Sequence, residues 1–447
     1  MKLSCEGCGI EVSASALNPF PFQCPQASAA DDIDHVLVPS ASLGAWAPTG
    51  EKNPFLQFRH ALFAYDVAIQ NGLSDAEYVA IVETIDTRFH EMEGHGFSVT
   101  PCYRDARLST ALGFSNTGGV WVKDETGQIG GSHKARHLMG IMLYLEVIRT
   151  LGWFTEKPRL GIASCGNAAL AAAVVARAAD YHLDVYIPVN ANPAVVKRLM
   201  ALGAHITRCE RRAGESGDPC FLRFIEAVDE GTIPFCCQGS ACGLTLDGGR
   251  TIGFELAMNF TVDDLIVQVG GGAFMSSVMR AYSALFDSQT ITKIPRFHTV
   301  QTEGAAPLHR AWSRILAEAD EGVDSEVALN RARTNRGSYM WPWEAEPVSI
   351  ATGILDDETY DWHRLVSGMI ETEGSALIAS ERQFRKATDL VRQVAGVNAC
   401  VTGSAGLAGL LRLFETGKVG ASQRIGLIWS GIRRDSVSKN GTVRGDG

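Results

Sequence analysis

Between residues 160 and 207 the chain alternates short apolar runs with longer stretches of helical period. Residues 160–163, 184–188 and 205–207 are compact apolar runs, and residues 167–176 and 193–202 separate them with a pattern of about 3.6 residues. Runs of this length read as buried strands and the longer stretches as helices. Strand–helix–strand order predicts right-handed crossovers on a parallel sheet. A second alternating block spans 235–301, with strands at 264–269 and 297–301 around a helix at 275–285, and the pattern resumes after residue 375 to end in the apolar run 424–429. The predicted fold class is therefore α/β. No internal repeat or low-complexity tract interrupts it.

Four motifs follow such runs in a fixed order. Asp124-Glu125-Thr126-Gly127-Gln128-Ile129-Gly130-Gly131-Ser132-His133-Lys134 is a glycine-rich loop that opens onto the mostly apolar stretch 137–143. Ser164-Cys165-Gly166-Asn167 heads the helix after the first strand, Gly270-Gly271-Gly272-Ala273-Phe274 follows the strand at 264–269, and Ser430-Gly431 ends the run 424–429. Pyridoxal phosphate needs four such pieces: an amine, a phosphate cradle, a donor to its ring oxygen and a partner for its pyridine nitrogen. A lysine among glycines and apolar residues can be desolvated enough to serve as a Schiff-base amine, whereas a lone lysine is ordinarily a snorkelling surface residue. Consecutive glycine N–H groups at a helix start suit a phosphate. A dinucleotide site, which would make the chain a nicotinamide oxidoreductase, prefers G-x-G-x-x-G, and Met275 stands at the third glycine. Asn167 is either an N-cap or a donor to the ring oxygen, and Ser430 either a turn serine or the nitrogen's partner.

On these motifs the chain resembles the fold-type II pyridoxal phosphate enzymes, the family of threonine synthase, serine and threonine dehydratases, cysteine synthase and the tryptophan synthase β chain. The resemblance runs from about residue 53 to residue 435. It implies a two-lobed α/β fold and pyridoxal 5'-phosphate as cofactor, with Lys134 as the Schiff-base and catalytic lysine. By the same match Asn167 meets the ring oxygen, Gly270, Gly271, Gly272, Ala273 and Phe274 hold the phosphate, and Ser430 meets the pyridine nitrogen. Ser164, Cys165, Gly166 and Ala168 are then the candidates for the substrate carboxylate. Asn53-Pro54-Phe55-Leu56-Gln57-Phe58-Arg59 and the cysteine-bearing N-terminus look like a threonine synthase of the longer kind. His133 resembles instead the histidine before the lysine in the tryptophan synthase β chain, where it lies near the phosphate. The family also implies a homodimer.

The implied organisation is a ribbon-like segment at 1–40, a larger cofactor lobe formed by 41–155 and 230–435, a smaller mobile lobe at 156–229 carrying the Ser-x-Gly-Asn loop, and a tail at 436–447. A chain of 447 residues, 46% of them hydrophobic, is long enough for such an arrangement. Its net charge of −10 disfavours nucleic acid or an anionic membrane as partner. The first residues turn polar at once and no run of about eighteen apolar residues occurs, so a cytoplasmic protein is expected, and the resemblance implies a small-molecule amino acid as substrate. Eleven scattered cysteines fit reduced thiols. Cys5, Cys8 and Cys24 resemble a zinc ribbon whose second pair is incomplete, since Gln26 and Ala27 stand where another cysteine is expected. The pattern reads as a degenerate, metal-free ribbon, with His35 the candidate fourth ligand if an ion is bound. The aromatic-rich stretch 333–362 is either a cover over the pocket or a surface loop packed on itself. The reaction expected is β-elimination from a β-substituted amino acid, with replacement chemistry the alternative.

Overall fold

The computed structural model describes residues 2–28, 31–39, 47–215 and 217–434. The expected tail at 436–447 and the boundary placed at residues 40 and 41 lie outside them. Among the described residues the strands are β1 (Leu3–Cys5), β2 (Glu11–Val12), β3 (Leu37–Pro39), β4 (Cys102–Asp105), β5 (Gly119–Asp124), β6 (Leu160–Ala163), β7 (Leu183–Pro188), β8 (His205–Cys209), β9 (Ile233–Pro234), β10 (Asp264–Gln268), β11 (Arg296–Thr302), β12 (Ser375–Ala379) and β13 (Arg424–Trp429). They form three sheets. The largest has the order β12-β11-β10-β13-β5-β4, parallel except for β4, which runs antiparallel to β5. A second, wholly parallel sheet has the order β8-β7-β6-β9, and a small antiparallel one the order β2-β1-β3.

The predicted α/β class is what the chain adopts. Its strands β10 and β13 are buried almost throughout, which is why their sequences are continuous apolar runs rather than alternating ones. The helix Lys134–Thr150 is buried on nearly every face from Ala135 to Ile148, packed into the same apolar core as the helix Asn167–Ala178 and the strands β6 and β7. A helix apolar all round belongs in an interior. Lys134 therefore begins a helix that is enclosed on nearly every side. No helix among the described residues is long and apolar enough to cross a membrane.

Candidate active site

Strands β5, β13 and β10 lie side by side and point the same way, so the loops that leave their carboxyl ends meet in one crevice. Those loops carry Lys134, Ser430 and the glycines. Backbone bonds tie the first two together: His133 N–H donates to Ser430 O at 3.1 Å, Ile432 N–H to Gly131 O at 2.9 Å, and Ser132 bridges Gly431. The glycine loop joins them through its first helical residues, because the Phe274 ring stacks on His133 with centroids 4.0 Å apart. Gly272 is the N-cap of the helix Ala273–Asp287 and has φ 100°, a left-handed conformation that costs any other residue strain. A Cβ at Gly270 would collide with the Asp356 carboxylate, and one at Gly271 would stand 2.9 Å from the Tyr360 ring.

Lys134 is the first residue of its helix, half-buried, and its amine makes no hydrogen bond or ion pair among the described residues. Its charge is felt by His133, His137, Cys236, Cys237 and Asp356, which surround it. Burial, then the nearby Lys134, holds His133 well below the ordinary histidine range, and the same pair of causes brings His137 down to about 3. Both imidazoles are neutral at physiological pH. The Nδ1–H of His133 donates to Ser430 O at 3.0 Å and that of His137 to Thr245 O at 2.8 Å, which leaves each Nε2 buried and without a partner. Burial raises the thiols of Cys236 and Cys237, so neither competes with Lys134 as a nucleophile.

Asn167 approaches from the other sheet. It is the first residue of its helix, and the N-cap is Gly166, so the capping role that sequence alone allowed does not apply. Its Oδ1 accepts from the Arg434 guanidinium, which also binds Gly130 O, and its Nδ2 lies 2.8 Å from the position a Gly431 Cβ would take. With the oxygen engaged by Arg434, the amide N–H₂ is the end left to face a ligand. No side chain caps this helix, so the N–H groups that follow Ser164, exposed Cys165 and Gly166, including that of Ala168, remain available to an anion. Ser430 is buried, and its hydroxyl oxygen accepts from the Gln268 amide at the end of β10. A hydroxyl that accepts there keeps its proton for another acceptor.

Three features of the site were not read from the sequence. Arg434 gave no signal, being one of two arginines beyond a strand. The second feature is an ion network: Arg136 donates to Glu125 at 2.8 Å and to Glu255 at 2.5 Å, Lys123 pairs with Glu255 and donates to Thr100 O at 2.7 Å, and the Thr100 hydroxyl donates to Glu125. Its four charged side chains are at most 1% exposed. Burial alone would discharge Glu125, yet Arg136 and Lys123 outweigh it and hold the carboxyl below its ordinary range. The third is Asp356, in the stretch 333–362. Thr359 Oγ1 donates to Gly270 O at 2.9 Å and Tyr360 N–H to Gly271 O at 2.9 Å, so part of this stretch lies on the glycine loop as a cover.

Burial pushes the Asp356 carboxyl up to about 6, against the pull of Lys134 and the Gly271 N–H. Its folded-state pKa thus exceeds the ordinary 3.8, the folded state holds the proton through that window, and stability falls as pH rises from about 4 to about 6. Replacing Asp356 by Asn is expected to stabilise the cofactor-free protein at pH 7.5 by about 1–2 kcal/mol, after discounting for partial exposure, and to give no gain near pH 4. Urea unfolding at the two pH values checks this.

A sequence profile of the family described as "Pyridoxal-phosphate dependent enzyme" matches residues 95–431, and the chain belongs to that family. Among curated proteins it is similar to threonine synthase of Methanocaldococcus jannaschii, 22% identical over 337 residues that cover 74% of each chain. It is also similar to threonine synthase of Mycobacterium bovis, 26% identical over 261 residues covering 58% of this chain and 62% of the relative. Solved structures share the fold: maize serine racemase superposes with a TM-score of 0.59 at 18% identity, covering 80% of this chain and 94% of the other, and threonine deaminase isoform 2 of Solanum lycopersicum with 0.57 at 16%, covering 82% and 92%. The architecture is fold type II and the cofactor is pyridoxal 5'-phosphate. The residues fit it. The Lys134 amine has no hydrogen bond or ion pair among the described residues, Gly270, Gly271 and Gly272 offer backbone without Cβ atoms, and the buried Nε2 of His133 and Oγ of Ser132 lack partners among the described residues. Buried polar atoms ordinarily have a hydrogen-bond partner, so these two are open to a bound group.

Proposed function

We propose that this protein is a lyase that removes a β substituent from an amino acid and releases a 2-oxo acid and ammonia. The observation that carries the reading is the pairing of Ser430 with Gln268 at the end of β13, a neutral hydroxyl held by a neutral amide. When bound, pyridoxal phosphate supplies the electron sink for a carbanion at Cα. A carboxylate at the pyridine nitrogen would hold that nitrogen protonated and strengthen the sink. Ser430, fixed by the Gln268 donor, offers one neutral hydroxyl proton and leaves the sink weaker. Charge at Cα is then short-lived, which favours prompt loss of a β substituent over transamination.

The remaining residues have roles that follow from their donors. Gly270, Gly271 and Gly272, with the N-terminus of the helix Ala273–Asp287, would hold the phosphate, with His133, oriented by Phe274 and the Ser430 carbonyl, as a further residue near it. Asn167 Nδ2, its amide turned by Arg434, would donate to the ring oxygen. The first N–H groups of the helix Asn167–Ala178 receive the substrate carboxylate and so aim Cα at Lys134. The free Lys134 amine would take the Cα proton, since it is held in no hydrogen bond or ion pair among the described residues. The β substituent leaves with the electron pair of the broken bond, and water replaces nitrogen to give the 2-oxo acid and ammonia.

The test is a panel of β-substituted L-amino acids supplied to the cofactor-loaded full chain. Equal amounts of ammonia and 2-oxo acid are expected from at least one of them. A new amino acid without ammonia would instead establish replacement, the chemistry that similarity to proteins named threonine synthase supports. Accumulation of the D-enantiomer without ammonia would establish racemisation and sink the elimination reading.

A further inference from the structure

The N-terminal cysteines make a site that their spacing alone did not complete. The antiparallel pairing of β1 with β3 sets Cys5 opposite Leu37, and Glu6 N–H donates to Val36 O at 3.0 Å, which brings His35 against the turn Cys5-Glu6-Gly7-Cys8. Gly7 makes the approach possible, since a Cβ there would collide with the Asp34 carbonyl and stand 2.6 Å from Ile33 Cγ2. Cys24 comes in from the following loop. The ligand atoms of Cys5, Cys8, Cys24 and His35 all lie within 4.8 Å of one another. Cys5 Sγ is 3.5 Å from His35 Nδ1, and Cys8 Sγ is 3.7 Å from Cys24 Sγ.

These separations match a tetrahedral ion. With Zn–S at ~2.3 Å and Zn–N at ~2.05 Å, tetrahedral ligands stand ~3.8 Å apart for sulfur pairs and ~3.5 Å for sulfur and nitrogen. A disulfide needs ~2.05 Å, and all of these cysteines are free. The other nitrogen of His35 lies 3.3 Å from the Asp31 carboxylate, the arrangement that fixes a metal-bound imidazole in its ligating tautomer. Three soft thiolates and an imidazole select zinc over magnesium or calcium, and four protein ligands leave no open position for chemistry. His35 thus takes the place that a fourth cysteine fills in a complete ribbon.

The neighbours of the ligands reach the cofactor site along two lines. Glu6, between Cys5 and Cys8, pairs with Arg280 on the helix that starts at the glycine loop. Asp34, next to His35, pairs with Arg336 at 2.6 Å and accepts from the Trp362 indole, while Gly337 N–H donates to Asp32 at 2.7 Å. Arg336 also holds Glu358, the residue before Thr359 and Tyr360, whose bonds to Gly270 and Gly271 close the cover over the cradle. We propose that Cys5, Cys8, Cys24 and His35 bind one zinc ion, and that this ion secures the cover over the phosphate cradle and so the retention of pyridoxal phosphate. The inference rests on the cofactor and is independent of the elimination chemistry.

Elemental analysis of the purified full chain is expected to find about one zinc per chain, lost in Cys24→Ser. Cobalt exchanged into the site should give the absorption of a tetrahedral three-sulfur, one-nitrogen centre, and His35→Cys should keep the ion while shifting those bands. The His35 variant keeps the test valid if Cys24→Ser fails to fold. Zinc well below one per chain, or unchanged in Cys24→Ser, overturns the site. For the second half, zinc is removed with a chelator and pyridoxal phosphate is titrated by its bound absorbance. The concentration for half-saturation is expected to rise about fivefold or more and to return on adding zinc. Equal half-saturation in folded protein with and without zinc overturns the link to the cradle.

Discussion

Replacing Lys134 by Ala should lower turnover by about 10⁴-fold or more and abolish the visible absorbance of the lysine-bound cofactor. The size of the effect follows from the site's composition. The groups that feel the Lys134 charge are two neutral histidines, two protonated thiols and Asp356, and none of them is an amine. None of these can form a Schiff base. The fold should survive, because the Lys134 amine holds no hydrogen bond or ion pair among the described residues that its loss would break. Pyridoxal phosphate should still bind through its phosphate, at higher concentration. Steady-state assays beside absorption and circular dichroism spectra check all three outcomes; retained turnover would remove Lys134 from the mechanism.

The second large effect is on stability. Arg136→Ala should destabilise the protein by about 3–5 kcal/mol, because it strips two buried carboxylates of their principal partner and leaves Lys123 to serve both. The network also anchors the helix that Lys134 begins. Arg136 sits two residues after Lys134, and its partners come from the residue following β5 and from Glu255 on the helix Leu244–Asn259, with Thr100 bonded to the same carboxylates. Arg136→Lys keeps the charge and loses the fork that reaches Glu125 and Glu255 together. We expect that variant to fold and to lose activity through misplacement of Lys134. Denaturant midpoints separate the two substitutions: a loss below about 1 kcal/mol in Arg136→Ala would mean that the network contributes little.

Much of the fold was legible because its central strands are buried on both faces and their sequences say so. The runs at 160–163, 264–269 and 424–429 became β6, β10 and β13 within a residue of their expected ends. Helix ends moved further: the helix expected at 275–285 runs Ala273–Asp287, since packing and the Gly272 cap, rather than apolar period, set where it starts and stops. The glycine motifs were legible for the same local reason, as each combines a strand end, a turn and a helix start within a few residues.

Contacts between distant segments were not legible. Arg434 meets Asn167 across 267 positions, Asp34 meets Trp362 across 328, and Glu6 meets Arg280 across 274. No local spacing encodes such pairs. The sequence by itself determined the α/β alternation, the order of the motifs and the chemical type of each group, because these depend on periodicity and on residues adjacent in the chain. Tertiary structure alone decided that Asn167 is turned by Arg434 instead of capping its helix, that part of the stretch 333–362 covers the glycine loop, and that His35 joins the cysteine cluster. Each of those outcomes depends on which surfaces meet when the apolar faces are buried, and that is a property of the assembled chain.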